Sequence, residues 1–224
     1  MTLQKRMIIT FFKALTSILC RIDDSQLQKV PKQGPLILIT NHINMVEAPV
    51  LYTRLQPRPI TGFVAAYRWE SLFFRWLLTA VGAIPLHRGT ADLSAIRQAL
   101  QQLKQGTILT IAPEGTRSRH GRLQRGHAGS VLLALHSGAP IQPIVCYGNE
   151  CFSENLRRLR RTDIHLAVGE PFYLNAAAER VSQEVRQAMA EAIMYKLAAL
   201  LPPKYRGVYA DIEQASEKYI QPYR

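Results

Sequence analysis

Short apolar runs alternate along this chain with longer stretches in which apolar residues recur every three or four positions. Leu36–Thr40, Thr107–Ala112 and Ile141–Tyr147 are continuous runs bounded by Gly or Pro, and Ile60–Ala66 and Ile164–Val168 are further strand candidates. The periodic stretches are Trp69–Ala80, Asp92–Lys104 and His127–Ser137, each of helical spacing. Strand, helix and strand in repetition predict an α/β fold: a single domain with a largely parallel, mixed sheet covered by helices. No internal repeat, low-complexity tract or linker divides it.

The two ends read differently. Ala176–Leu200 places Val181, Val185, Met189, Ile193 and Leu197 on one side and stops before Pro202-Pro203, as a core-covering helix would. At the other end, Lys5-Arg6 precedes an apolar stretch from Met7 to Cys20. It is shorter than the ~20 residues that span a bilayer. Arg21-Ile22-Asp23-Asp24 follows where a signal peptide would carry small residues. Two readings stay open: a helix packed on the core, or an interfacial helix. In the second, Phe11, Phe12, Leu15, Ile18 and Leu19 enter lipid while Lys5, Arg6, Lys13 and Arg21 meet anionic head groups.

Charge bears on that choice. The 224 residues hold 28 Lys and Arg against 16 Asp and Glu, a net +12. Such a surplus calls for an anionic partner, whether nucleic acid, membrane or phosphorylated substrate, without specifying a fold. Three cysteines, Cys20, Cys146 and Cys151, suit neither a disulfide framework nor a zinc site, and imply a reducing, cytosolic setting.

In parallel sheets functional groups gather where the chain leaves the carboxyl ends of strands. Asn41-His42-Ile43-Asn44-Met45-Val46-Glu47 follows one predicted strand and Pro113-Glu114-Gly115-Thr116-Arg117-Ser118 another, while Ile84-Pro85-Leu86-His87-Arg88 precedes a helix. His42 and Glu47, five residues apart, cannot share a helix face, since that spacing turns about 500°. Pro49 suits a first helical turn, so both residues belong in or beside the preceding loop. There a carboxylate can take Nδ1 and leave Nε2 to accept a proton; the alternative is an ordinary local hydrogen bond. Gly115 permits a sharp turn, Thr116 adds a hydroxyl and Arg117 a planar fork for phosphate, although a solvated basic turn has the same composition. Glu114 is expected to orient an arginine. Arg157-Arg158-Leu159-Arg160-Arg161 is a further basic run, either a solvated face or a phosphate contact. No G-x-S-x-G, phosphate loop, G-x-G-x-x-G or H-E-x-x-H accompanies these residues, so the substrate itself must supply the nucleophile and no metal is expected.

These blocks, in this order, resemble the lysophospholipid and glycerolipid acyltransferase family over residues 30 to 210. The carriers are Asn41-His42 with Glu47, Ile84–Arg88, Glu114-Gly115-Thr116-Arg117, Pro140–Val145, and the tail Leu200–Gly207. The resemblance implies that His42 deprotonates the acceptor hydroxyl, that Glu47 orients His42, and that Arg88, Glu114, Gly115, Thr116 and Arg117 hold the acceptor phosphate. It implies an acyl-CoA or acyl carrier protein donor and no other cofactor. Two departures are visible: Glu47 where the family usually has aspartate, and His127 where many members carry lysine.

The expectation is therefore an acyltransferase making phosphatidic acid from 1-acyl-sn-glycerol-3-phosphate. Residues 1–24 would form an amphipathic membrane-associating helix and residues 25–224 the acyltransferase domain. It would sit as a peripheral or monotopic protein on the cytoplasmic face of an anionic membrane. Alternatives are the same chemistry on another lysophospholipid, an ornithine lipid or another hydroxyl acceptor, and a non-catalytic basic protein binding anionic lipid or nucleic acid. No nucleic-acid module is recognisable, and the basic residues cluster in loops, so no specific nucleic acid is expected.

Overall fold

The structure, a computed structural model, describes residues 2–87, 89, 92–118, 120–176 and 181–223. From the N-terminus the elements are α1 (Leu3–Leu19), β1 (Cys20–Asp23), β2 (Leu36–Thr40), α2 (Glu47–Arg54), β3 (Ile60–Ala65), α3 (Leu72–Val81) and β4 (Ile84–Leu86). They continue with α4 (Leu93–Lys104), β5 (Ile108–Ile111), α5 (Gly129–Ser137), β6 (Ile141–Tyr147), α6 (Phe152–Arg157), β7 (Thr162–Val168), β8 (Phe172–Leu174), α7 (Gln183–Leu200) and β9 (Ile220–Pro222). Short 3-10 turns occupy Ser25–Lys29, Ala66–Glu70 and three segments after α7.

The strands form one mixed sheet in the order β1-β7-β6-β2-β5-β3-β4, with β8 paired to β6 and β9 to β8. From β6 to β4 every neighbour is parallel; β7 and β8 run antiparallel to β6. Every residue of β2 is buried, because helices cover both of its faces. Leu36 and Leu38 join Val50 and Leu51 of α2, and Leu55 just after it, in one core. Ile37 and Ile39 point the other way, into a second core with Ala95, Ala99 and Leu103 of α4, Val131 of α5, and Met189, Ile193 and Leu197 of α7. Arg58 spends part of the basic surplus structurally: its guanidinium donates to the carbonyls of Pro31, Gly34 and Gly106, beneath the amino ends of β2 and β5.

Several boundaries differ from the sequence reading. A 3-10 turn takes up Trp69, so α3 starts at Leu72; α5 starts at Gly129; and α7 starts at Gln183, where the Ser182 hydroxyl accepts from the Val185 N–H. Short β1 and β4 carry too few residues for their pattern to be distinctive. The connection from β2 through α2 leads across β5 to β3, whereas the connection from β5 through α5 leads back across β2 to β6. The two crossovers leave on opposite faces of the sheet, which opens a crevice at the carboxyl ends of β2 and β5.

Candidate active site

His42 stands two residues beyond β2 and Glu114 three residues beyond β5, at the mouth of this crevice. The His42 ring Nδ1 lies 2.9 Å from Glu47 Oε2. Glu47 is the first residue of α2 and is buried, while the His42 side chain keeps 31% of its surface exposed. The other carboxylate oxygen, Oε1, accepts from the N–H groups of Ile43 (3.1 Å) and Asn44 (2.8 Å) and from Asn149 Nδ2 (2.5 Å). Donors alone surround this carboxylate, so the His42 bond is Nδ1–H to Oε2, and Nε2 has no hydrogen-bond partner among the described residues.

The His42 backbone is clamped from the neighbouring strand end. Its N–H donates to Glu114 Oε1 (3.1 Å) and its carbonyl accepts from the Ser118 N–H (2.7 Å). Glu114 Oε2 accepts from the Gln124 N–H (2.9 Å). Among the described residues Glu114 therefore orients no arginine, contrary to the expectation from sequence; it ties two backbone segments together across the crevice. Burial pushes its carboxyl above the ordinary value, against the pull of the Gln124 and His42 N–H groups. Gly115 turns the chain with φ +66°, which brings the turn beside the His127 ring.

Gly115 and Thr116 are exposed at this edge, and Arg117 is half-buried with no ion pair or side-chain hydrogen bond to a described residue. Its fork is thus uncommitted. Arg88 lies outside the described residues. The tail seen in the sequence braces the same loop: Tyr205 accepts the Leu123 N–H through its carbonyl (2.9 Å) and donates its hydroxyl to Glu150 Oε1 (2.7 Å). Only a glycine fits at position 207, because a Cβ there would lie 2.0 Å from the Leu123 carbonyl. In the Arg157–Arg161 run, Arg161 donates to the carbonyls of Ser17 and Cys20, latching α1 to β7, and Arg158 pairs with Glu154.

Three asparagines complete the constellation. Asn41 Nδ2 and Oδ1 bond the carbonyl and N–H of Cys146, both at 2.8 Å, fixing the end of β2 to β6. Asn44 Nδ2 donates to the Asn149 carbonyl (2.6 Å), and fully buried Asn149 returns its amide to Glu47. Asn149 escaped the sequence reading because it lies 102 residues from Glu47 with no local signal. Cys146 is no nucleophile: it is buried, and burial holds its thiol well above the usual range. All three cysteines are free. Among the described residues no cluster of ligands could hold a metal ion, and no helix is long and apolar enough to cross a membrane.

A sequence profile of the Acyltransferase family matches residues 21–147. A chloroplastic 1-acyl-sn-glycerol-3-phosphate acyltransferase of Brassica napus is 24% identical over 184 residues, covering 77% of this chain and 51% of that protein. The 1-acyl-sn-glycerol-3-phosphate acyltransferase of Bacillus subtilis is 25% identical over 77% of this chain and 84% of its own. A lyso-ornithine lipid O-acyltransferase of Pseudomonas aeruginosa is 30% identical over 52% of this chain and 44% of that protein. The chain thus spans about half the length of the plant and Pseudomonas relatives. In fold it is similar to the crystal structure of the 1-acyl-sn-glycerophosphate acyltransferase from Thermotoga maritima, with TM-score 0.62, 20% identity and coverage of 88% and 79% of the two chains.

Proposed function

Because the chain belongs to the acyltransferase family, we propose that it moves a fatty acyl group from acyl-CoA or acyl carrier protein to the free hydroxyl of 1-acyl-sn-glycerol-3-phosphate, making phosphatidic acid. The observation that carries this reading is His42, tethered through Nδ1 to Glu47 at the mouth of the crevice with Nε2 unpaired among the described residues. The acceptor hydroxyl gives its proton to Nε2 as its oxygen attacks the thioester carbon. The tetrahedral intermediate then expels the thiolate, which takes a proton back from the imidazolium, leaving an ester and a free thiol. No acyl-enzyme forms. Base assistance of this kind is worth roughly 10²–10⁴ in rate, so positioning supplies much of the remainder.

Glu47 sets the tautomer and stabilises the imidazolium, and Glu114 with Ser118 fixes the backbone from which the ring projects. In this reading Arg117, Thr116 and the Gly115 turn bind the acceptor phosphate, and Arg88 supplies a further cation for it. The enzyme works at the cytoplasmic face of an anionic membrane, held by α1. That helix exposes Leu3, Met7, Phe11 and Ile18 on one face, with Arg6 and Lys13 also exposed, while Ile8, Ile9 and Thr16 turn inward. Phe12, Leu15 and Leu19 are half-buried, so the lipid-facing stripe runs through Leu3 and Met7 rather than through them.

One observation favours a second acceptor. The ring beside the Gly115 turn is His127 rather than a permanent cation, and the Pseudomonas relative is a lyso-ornithine lipid acyltransferase. The test supplies purified protein with acyl-CoA or acyl carrier protein and with vesicles holding lysophosphatidic acid or lyso-ornithine lipid. Mass spectrometry follows the product and a thiol reagent the released donor. Phosphatidic acid with stoichiometric thiol is expected; preference for lyso-ornithine lipid would move the assignment to the second acceptor, and no transfer to either would overturn it.

A further inference from the structure

α3 is the least buried apolar element of the described chain. Its sequence, Leu-Phe-Phe-Arg-Trp-Leu-Leu-Thr-Ala-Val, would suit a core helix, yet none of its residues is buried and none belongs to either hydrophobic core. Leu72 is 78% exposed, Phe73 61% and Trp76 50%. At spacing i, i+1, i+4 the three share one face, and the Phe73 and Trp76 rings lie 6.2 Å apart. Topology explains the exposure: α3 joins β3 to β4, the last strand of the sheet, so it lies beyond the strands that both cores cover. An outward cluster of large apolar side chains on a water-soluble surface implies something that covers it.

The neighbourhood says what. α3 touches α1, and α2 joins them: the Tyr52 hydroxyl donates to the Val81 carbonyl (3.1 Å) while the Lys5 ammonium lies 5.8 Å from the Tyr52 ring. α1 and α3 contain Lys5, Arg6, Lys13 and Arg75 and no acid, and Glu70 is the one acid in the turn before α3. Arg68 in that turn lies 5.3 Å from the Tyr67 ring and 5.4 Å from the Phe74 ring. Two copies of such a face would meet cation to cation, whereas a bilayer bearing anionic head groups complements both its charge and its apolar side chains. Trp, Tyr and Arg are the side chains that bridge an apolar interior and a wet, charged boundary.

We infer that the outer face of α3 is a second lipid-docking surface, on which Leu72, Phe73 and Trp76 enter the same anionic membrane surface as the exposed stripe of α1. The inference extends the membrane reading of α1 and fixes the protein at two points, which restrains its tilt as well as its distance from the bilayer.

The test uses the full chain with Trp69→Phe, which leaves Trp76 as the single tryptophan, and vesicles of phosphatidylcholine with or without phosphatidylglycerol. Trp76 emission is expected to shift to the blue on the anionic vesicles and to be quenched by brominated lipid. Leu72→Ser/Phe73→Ser/Trp76→Ser, with α1 intact, should lower partitioning to those vesicles about tenfold or more. Turnover of a short-chain, water-soluble acceptor should stay within about twofold, since none of the three touches the His42 site. Unchanged Trp76 emission on bound protein, or wild-type partitioning by the triple variant, overturns the inference. A concentration-dependent dimer abolished by the triple variant would instead assign the face to a second copy. Partitioning requires no turnover, so failure of the proposed chemistry and failure of this surface are read separately.

Discussion

Among the described residues two histidine–carboxylate pairs have the same spacing and the same bond length. His42 Nδ1 lies 2.9 Å from Glu47, and His87 Nδ1 lies 2.9 Å from Asp92; each acid stands five residues after its histidine, at the head of a helix. The second pair is a local device. Asp92 caps α4 through the Ala95 N–H (3.0 Å) and the Ser94 hydroxyl (2.7 Å), and takes the His87 N–H as well (3.0 Å). His87 stays 70% exposed. Glu47 instead takes Asn149 from beyond β6, and the backbone of its histidine is clamped by Glu114 and Ser118 from beyond β5. Spacing alone thus makes a turn with a capped helix. Donors from three strand ends turn the same motif into a rigid, half-shielded base.

The largest separation between the pairs should come from the bases themselves. His42→Ala is expected to lower kcat/KM by about 10³-fold, within the usual span of general-base catalysis, with an unchanged far-ultraviolet circular dichroism spectrum. Glu47→Gln should cost roughly 10–10²-fold in kcat, because a neutral amide neither stabilises the imidazolium nor guarantees the tautomer. Asn149→Leu should lower kcat about tenfold with little change in acceptor KM, since it removes a donor to Glu47 and no group that meets substrate. A KM effect alone would place Asn149 in binding instead.

The second pair should respond in stability alone. His87→Ala is expected to change kcat less than about threefold. For Asp92, the His87 N–H first, then the Ser94 hydroxyl, the Ala95 N–H and the His87 ring hold the carboxyl well below the usual carboxylate range. A depressed folded value contributes stability that is fully present above the ordinary value of 3.8 and is lost as pH falls through the folded value. Asp92→Ala should therefore lower Tm by a few degrees at neutral pH, with the gap from wild type closing in strong acid. A gap independent of pH would show that the carboxylate's charge is not what matters.

Much of this is legible in the sequence. β2, β5 and β6 announce themselves as continuous apolar runs, because a strand covered on both faces has no polar face to interrupt it. The loops that carry His42 and Glu114 followed from those strand ends. What the sequence concealed is long-range or edge-like. Glu114 was read by its neighbours in sequence, which include Arg117, whereas its partners are the N–H groups of His42 and Gln124, brought to it by the pairing of β2 with β5. α3 has the composition of a buried helix, and only its place at the margin of the sheet shows that it is exposed. Periodicity reports that a face is apolar, and topology decides what that face meets.

The central claim is that His42 and Glu47 act as one unit in base catalysis. The most direct measurement is kcat/KM for acyl transfer by wild type, His42→Ala, Glu47→Gln and the double variant, under one set of conditions. The account predicts that the double variant is no slower than His42→Ala alone, because orienting an absent base has no value. Losses that multiply, or undiminished transfer by His42→Ala, would contradict it.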